Sequence, residues 1–390
     1  MVRLPPSKFC QAKLSLMKIV VDENIPFAQQ ILSQHGEVVA LDGRTMQSAH
    51  LRDADALLVR SVTPVNAQLL SEAKQLKFVG TATIGTDHVD QVLLKELGIN
   101  FASAPGCNAI AVGEYVTTAL LAAANERQQS LQGKSIAIVG AGNTGSQLAK
   151  RAKALGMQVL LYDPPLKQQG LCEQSVSFAQ VLSADVISLH VPSTKSGEFP
   201  TYHMFAQEQL QQLKPSQILI NACRGDVIDN QALLKQAEKG LSPLLILDVW
   251  EGEPVVLKEL VDHAFIATPH IAGYSLEGKM RGTSMVYQAM CQALNLDYQD
   301  NSDSLLNQPE FQQLSLNGRL NQAKLTKLTQ FIYDIFADDR RFRRFGLQPQ
   351  GFDRLRKNYP QRREFSSLQL VSQHDQVALS ALGFNHQENK

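Results

Sequence analysis

The chain has 390 residues, a formal net charge of zero and 44% hydrophobic residues, which excludes a single small domain and a disordered chain and predicts two or three globular domains with real cores. A neutral balance gives no reason to expect nucleic acid or an anionic membrane as partner. The five cysteines, Cys10, Cys107, Cys172, Cys223 and Cys291, are scattered and form no Cys-x-x-Cys pair, which fits a reducing cytosol and neither a disulfide framework nor a zinc site.

No apolar run approaches the roughly 20 residues of a spanning helix. Residues 1–16 carry Arg3, Lys8 and Lys13 without the continuous apolar core of a secretory signal, and read as an unstructured leader or an upstream start. Met17-Lys-Ile-Val-Val-Asp opens the first strand, Lys18–Val21. Phe27–His35 is helical in pattern, and Glu37–Ala40, Ala56–Arg60, Lys77–Thr81 and Asn100–Ala102 are further short strands. Asn108 has the chemistry of a helix N-cap for the long amphipathic segment Ala109–Asn125, which leads into the next domain.

The middle of the chain alternates strictly. Six apolar runs, Ser135–Val139, Gln158–Tyr162, Asp185–Leu189, Gln217–Asn221, Leu244–Leu247 and Ala264–Ala267, are separated by helical segments that include Gly145–Leu155, Phe178–Ser183, Phe205–Leu213 and Gln231–Lys239. Such alternation predicts a parallel sheet covered on both faces, and six strands suffice for a dinucleotide-binding domain. Ala-Asp55-Ala-Leu-Leu echoes Ala-Asp185-Val-Ile-Ser, as if two α/β domains followed one plan. The helix Leu276–Leu296 returns the chain to the first domain. From about Asp303 the alternation stops; Leu320–Phe336 reads as one amphipathic helix, Phe365–Val371 as a strand, and Arg340–Arg344 is locally basic. The expected organisation is α/β: a substrate domain over 17–108 and 273–302, a Rossmann-like NAD domain over 109–272, and a small α+β unit over 303–390.

Gly140-Ala-Gly142-Asn143-Thr144-Gly145 follows the first strand of the middle domain and opens a helix. The three glycines permit a tight turn, a close approach to a pyrophosphate and close helix–strand packing, and the helix N-terminus offers free N–H groups to phosphate. Asp163 ends the next strand, 18 residues after Gly145, where a carboxylate accepts hydrogen bonds from ribose hydroxyls and repels a 2′-phosphate; NAD is therefore expected over NADP. A helix cap before Pro164-Pro165 is the competing role for Asp163.

Arg224, Glu253 and His270 each follow one of the last three strands, the half of the sheet where nicotinamide chemistry is done. Imidazole moves protons near neutral pH. A carboxylate on its far nitrogen fixes the tautomer. Arg is a permanent planar donor for a carboxylate substrate. Singly, each has a bland role as cap, loop charge or phosphate grip; the three together point to oxidation of a hydroxy acid. Asp248, at the end of the fifth strand, can accept a hydrogen bond from a carboxamide, and Cys223 reads as a packing residue.

These motifs together resemble the D-isomer-specific 2-hydroxyacid dehydrogenases. Val-Arg-Ser61-Val-Thr, Gly-Thr-Ala-Thr83-Ile-Gly-Thr-Asp-His, Ala-Pro-Gly-Cys-Asn-Ala-Ile-Ala-Val and His270-Ile-Ala-Gly-Tyr274-Ser-Leu-Glu-Gly-Lys narrow the resemblance to members that oxidise 4-phospho-D-erythronate at C2 in vitamin B6 synthesis. The resemblance implies catalytic roles for Arg224, Glu253 and His270. It implies NAD contacts from Asp163, Val191, Ala222, Arg224, Asp248 and Gly273, and substrate contacts from Ser61, Thr83 and Tyr274. It also implies a homodimer through the C-terminal unit. Ser61, Tyr274, Arg60, Lys279 and Arg281 are candidates for holding the phosphate, with Arg340–Arg344 of a partner subunit a further one. A related dehydrogenase, such as one acting on phosphoglycerate, and an NAD-sensing regulatory protein are the alternative readings.

Overall fold

The computed structural model of the chain describes residues 17–299 and 302–387; the expected leader, residues 1–16, lies outside the described residues. The chain divides into two compact units, one running up to Ala104 and resuming over Gly282–Leu305, the other comprising Pro105–Arg281 and Leu306–Lys390. The helix Leu276–Leu294 passes from the second unit to the first.

In the first unit, β1 (Met17–Asp22), β2 (Gly36–Leu41), β3 (Ala56–Val59), β4 (Phe78–Thr81) and β5 (Asn100–Ala102) form a parallel sheet in the order β2-β1-β3-β4-β5. Central strands covered on both faces have no polar side to show, and every residue of β3 and β4 is buried whereas the edge strand β2 is only partly so. Val20, Leu57, Val59 and Val79 form its fully buried centre.

In the second unit, β6 (Ser135–Val139), β7 (Gln158–Tyr162), β8 (Val186–Leu189), β9 (Ile218–Asn221), β10 (Leu244–Leu247) and β11 (Ile266–Ala267) form a second parallel sheet, ordered β11-β10-β9-β8-β6-β7. The strand order reverses between β6 and β8, which opens a crevice at their carboxyl ends. The Val176 N–H extends the pattern past β7 with one bond to the Leu161 carbonyl, 2.8 Å. The expected helix Phe205–Leu213 contracts to Gln207–Leu210, because Phe205 is buried and bridges Ile228 as extended chain.

The helix Ala109–Glu126 is buried nearly all round, the state of a helix enclosed by its own domain. Asn108 precedes it, but the side chain makes no capping bond. It is turned instead toward Gly273, where a Cβ would stand 2.2 Å from Asn108 Nδ2. Within this helix Glu114 accepts the Phe365 N–H with both oxygens (3.1 and 3.0 Å) and faces Arg151 at 3.5 Å. Burial and the nearby Glu364 charge push its carboxyl up to about 8.

The C-terminal segment adds β12 (Gln313–Ser315), β13 (Gln369–Val371) and β14 (Asn385–Gln387), a parallel sheet in the order β12-β13-β14. The strand expected over Phe365–Val371 is confined to its last three residues by a turn of 3₁₀ helix at Phe365–Ser367. The helix expected over Leu320–Phe336 is two helices, Gln322–Ile332 and Ile335–Arg341. Asp334 breaks it by accepting the Ala337 N–H as an N-cap, while Tyr333 leaves the helical region to bury its ring and donate to Asp338 Oδ2 at 3.0 Å. Arg362 fastens this segment to the rest of the second unit: Nη2 donates to the carbonyls of Ala111 and Ala272, both at 2.8 Å.

Candidate active site

Three loops of the second unit bring Arg224, Glu253 and His270 to one cavity of about 340 Å³. The first loop leaves β9 at Asn221, whose side chain brackets the turn: Oδ1 accepts the Cys223 N–H (3.2 Å) and Nδ2 donates to the Arg224 carbonyl (2.9 Å). Gly225 then lies against the second loop so closely that a Cβ would stand 2.0 Å from the Trp250 carbonyl carbon. Trp250, the single tryptophan of the chain, is buried and pins all three loops. Its backbone N–H donates to Glu253 Oε1 and its indole Nε1 to the Thr268 carbonyl at the end of β11, each at 2.9 Å.

His270 has φ +58°, the left-handed region that non-glycine residues rarely occupy. Asp248 holds it there. The Asp248 carbonyl accepts the His270 N–H at 2.6 Å, and its buried carboxylate accepts Thr268 Oγ1 (2.6 Å) and the N–H groups of Ile271 and Ala272 (2.9 Å each). His270 Nδ1 meets Glu253 Oε2 at 2.7 Å. Burial pushes the Glu253 carboxyl up, but the His270 charge and hydrogen bond, the Trp250 N–H and the Arg356 charge together outweigh it and hold the group below its ordinary value. Arg224 Nη1 donates to the Cys223 carbonyl at 2.8 Å. Burial pushes the Cys223 thiol up to about 11, which leaves no thiolate nucleophile beside it at neutral pH.

The opposite end of the crevice has the shape a dinucleotide requires. Gly140 has φ +96° and a Cβ there would stand 2.5 Å from the His190 carbonyl; at Gly145 it would stand 1.9 Å from the Gly140 carbonyl. At Gly142 a Cβ would meet nothing within 4 Å, so the backbone at the helix start is open. The helix Asn143–Ala154 begins there without a side-chain cap, so Asn143, Thr144 and Gly145 present uncapped first-turn N–H groups. Val191 packs its Cγ1 3.0 Å from the Gly140 Cβ position, and Ala222 is partly buried against the core. Asp163 ends β7 and does cap a helix, Pro164–Gln168: Oδ1 accepts the Leu166 N–H (3.0 Å) while Oδ2 accepts the Ala141 N–H of the glycine loop (2.8 Å). Each carboxylate oxygen retains a second lone pair for a ribose hydroxyl. These residues fit NAD.

Tyr274 and Gly273 belong to the same unit; Ser61 and Thr83 belong to the other. Ser61 is exposed just after β3, and Thr83 Oγ1 sits in a chain with Thr81 Oγ1 (2.7 Å) and the Gly85 carbonyl (3.0 Å). Sequence reading missed the support. Trp250, Asn221 and Thr268 carry no motif, although the one tryptophan inside Asp-Val-Trp-Glu-Gly-Glu was a usable signal. It also missed a second imidazole–carboxylate pair beside the cavity, His203 Nε2 to Glu251 Oε1 at 2.7 Å, with Tyr202 stacked on His203 at 4.0 Å.

The chain matches the family described as D-isomer specific 2-hydroxyacid dehydrogenase, NAD binding domain, over residues 111–272. It is 51% identical to an erythronate-4-phosphate dehydrogenase of Tolumonas auensis, covering 95% of this chain and 99% of that one. The chain belongs to this family. A relative of the same description from Psychromonas ingrahamii is 50% identical over 95% of this chain and 97% of that one. Among solved structures, a D-lactate dehydrogenase from Aquifex aeolicus, complexed with NAD and lactic acid, superposes with a TM-score of 0.59 at 25% identity, covering 71% of this chain and 95% of that one. Residues 305–383 match a second family described only as a domain of unknown function. As a member of the 2-hydroxyacid dehydrogenases, the chain is an NAD-dependent oxidoreductase of Rossmann-like fold. Among the described residues no helix is long and apolar enough to cross a membrane.

Proposed function

We propose that this chain oxidises 4-phospho-D-erythronate at C2 to (R)-3-hydroxy-2-oxo-4-phosphooxybutanoate, a step in pyridoxine and pyridoxal 5′-phosphate synthesis. The observation that carries the reaction class is the 2.7 Å contact of His270 Nδ1 with Glu253 Oε2 beside Arg224. The observation that carries the substrate is the identity with the erythronate-4-phosphate dehydrogenases over nearly the whole length of both chains.

His270 is the acid–base. Its Nδ1–H donates to Glu253, which leaves Nε2 as the acceptor for the C2 hydroxyl proton. Glu253, ionised because its pKa is held low, stabilises the imidazolium that forms and fixes its orientation. Arg224 grips the C1 carboxylate and polarises the C2 oxygen. Gly140, Gly142, Asn143, Thr144, Gly145, Asp163, Val191, Ala222, Arg224, Asp248 and Gly273 would hold NAD, which would supply the acceptor for the C2 hydride. Ser61, Thr83 and Tyr274 contact the substrate. The protein works in the cytosol as a homodimer through its C-terminal segment; Cys107, Cys172, Cys223 and Cys291 are not disulfide-bonded, which fits that compartment. NADH formation with 4-phosphoerythronate, 3-phosphoglycerate and unphosphorylated erythronate tests the reading: the first is expected to give the highest kcat/KM, and a preference for 3-phosphoglycerate sinks it.

A further inference from the structure

A substrate with a carboxylate at one end and a phosphate at the other needs two cationic sites, and Arg224 answers only one. Several candidates for the second are already committed. Arg281 chelates Glu364 through Nη1 (3.0 Å) and Nη2 (2.5 Å) and donates Nε to the Cys107 carbonyl (2.9 Å). Arg343 pairs with Asp339 and donates to the carbonyls of Val261 (2.6 Å) and Ala264 (2.7 Å). Arg340 and Arg341 face Asp334 and Asp338.

Tyr274 is differently placed. Four residues beyond His270, its ring carries two cations, with Lys279 Nζ 4.9 Å and the Arg356 guanidinium 5.8 Å from the ring centre. Arg356 reaches this place from the helix Gly351–Lys357, packs 5.7 Å from the Phe352 ring and hydrogen-bonds Tyr274. Its Nε is buried without an acceptor. A guanidinium has five N–H donors, and a buried donor left unpaired costs about 1–3 kcal/mol. The acids whose charge reaches Arg356 are Glu253 and Asp353, and Glu253 is already bonded to His270 and the Trp250 N–H.

We propose that Arg356 and Lys279, gathered on the Tyr274 ring, form the site that holds the phosphate of the substrate. The inference rests on the phosphorylated hydroxy acid proposed above. A phosphate monoester carries close to two negative charges and offers three acceptor oxygens, which two cations and a forked Arg donor match. The C-terminal segment thereby completes the substrate site of the catalytic unit.

The test compares wild type with Arg356→Met, Arg356→Lys and Lys279→Met, with 4-phosphoerythronate and erythronate as substrates and inorganic phosphate as inhibitor. Arg356→Met is expected to lower the ratio of kcat/KM for the phosphorylated over the unphosphorylated substrate by about 10²-fold, chiefly through KM, and to weaken phosphate inhibition at least tenfold. Arg356→Lys keeps the charge without the fork and falls between. An unchanged ratio with unchanged phosphate inhibition overturns the proposal, as does an equal loss on both substrates, which a purely structural residue would give. If wild type shows no preference for the phosphorylated acid, the substrate reading fails, and phosphate inhibition of the variants judges the anion site by itself. NAD-dependent elevation of Tm checks that each variant folds; should Arg356→Met not fold, Arg356→Lys and Lys279→Met decide.

Discussion

The two parallel sheets follow one plan and do different chemistry. Each starts with a strand that has its successor on one side and its third strand on the other, β2-β1-β3 and β7-β6-β8. Each third strand is preceded by an aspartate that accepts the backbone N–H at the start of the first strand: Asp55 from Lys18 at 3.0 Å, Asp185 from Ser135 at 2.8 Å. The repeated Ala-Asp of the sequence therefore has one structural cause in both units. The difference lies at the other end of the first strand. After β6 come three glycines and a 12-residue helix; β1 ends in Asp22, whose buried carboxylate accepts from Asn24, and is followed by a helix of only five residues. Topology supplies the crevice, but glycine geometry and the uncapped N–H groups of a full-length helix decide whether phosphate enters it.

The largest effect that would break this contrast is loss of the proton acceptor. His270→Ala is expected to lower kcat by about 10²–10⁴ while NAD binding survives. In the first unit His88 is bonded to Thr81 at 2.9 Å and burial lowers its pKa. Steady-state kinetics with an NAD fluorescence titration checks both halves, and a near-normal kcat removes His270 from the mechanism.

Glycine geometry is tested next. Gly142→Ala adds a methyl where the protein has nothing within 4 Å, so the Tm without NAD should hold while the NAD Kd rises about tenfold or more. Gly145→Ala drives a Cβ into the Gly140 carbonyl at 1.9 Å and should lower stability as well, by about 1–3 kcal/mol. Equal effects of the two on the Tm of the NAD-free protein would mean that the loop is shaped by folding alone.

Much of this was legible in the chain. Parallel strands covered on both faces read as apolar runs, and the polar trio stood out because each residue lies in a short segment that directly follows such a run. What escaped acts through contacts between segments distant in sequence. Trp250 acts by spanning three loops, and Arg356 lies 86 residues beyond His270 in a segment with no periodic pattern to place it. Tyr333 and Asp334 interrupt a helix that amphipathicity alone would continue, because a buried phenol and a capping carboxylate outweigh the propensity of the run. Asn108 stands at the expected cap position, but its side chain answers to Gly273, 165 residues away in sequence.

Asp163 sharpens the comparison in a third way: it accepts the Ala141 N–H of the glycine loop at 2.8 Å, whereas Asp42, at the corresponding place just after β2, accepts the Arg44 N–H of its own turn at 2.9 Å. Removing both acceptor oxygens in Asp163→Ala frees the N–H groups of Ala141 and Leu166. A lost helix cap costs about 0.5–2 kcal/mol, read by urea unfolding, and the ratio of NAD to NADP affinity should fall. Retained discrimination against NADP would assign Asp163 to capping alone.

The last effect concerns pH. Burial lowers the His190 pKa to about 4, and its Nε2 shares a hydrogen bond with Ser188 Oγ at 2.8 Å while Nδ1 finds no partner. Between pH 6.5 and 4 the unfolded chain takes up a proton that folded His190 refuses, so unfolding gains and stability falls as pH drops through that window. The loss is about 2 kcal/mol at pH 5 for a shift of that size. His190→Gln keeps an amide for Ser188 and has no proton to bind, so its urea midpoint should decline less than that of wild type from pH 7 to pH 5. Parallel urea profiles for the two proteins between pH 7 and pH 5 would show that His190 takes up its proton in the folded chain as readily as in the unfolded one.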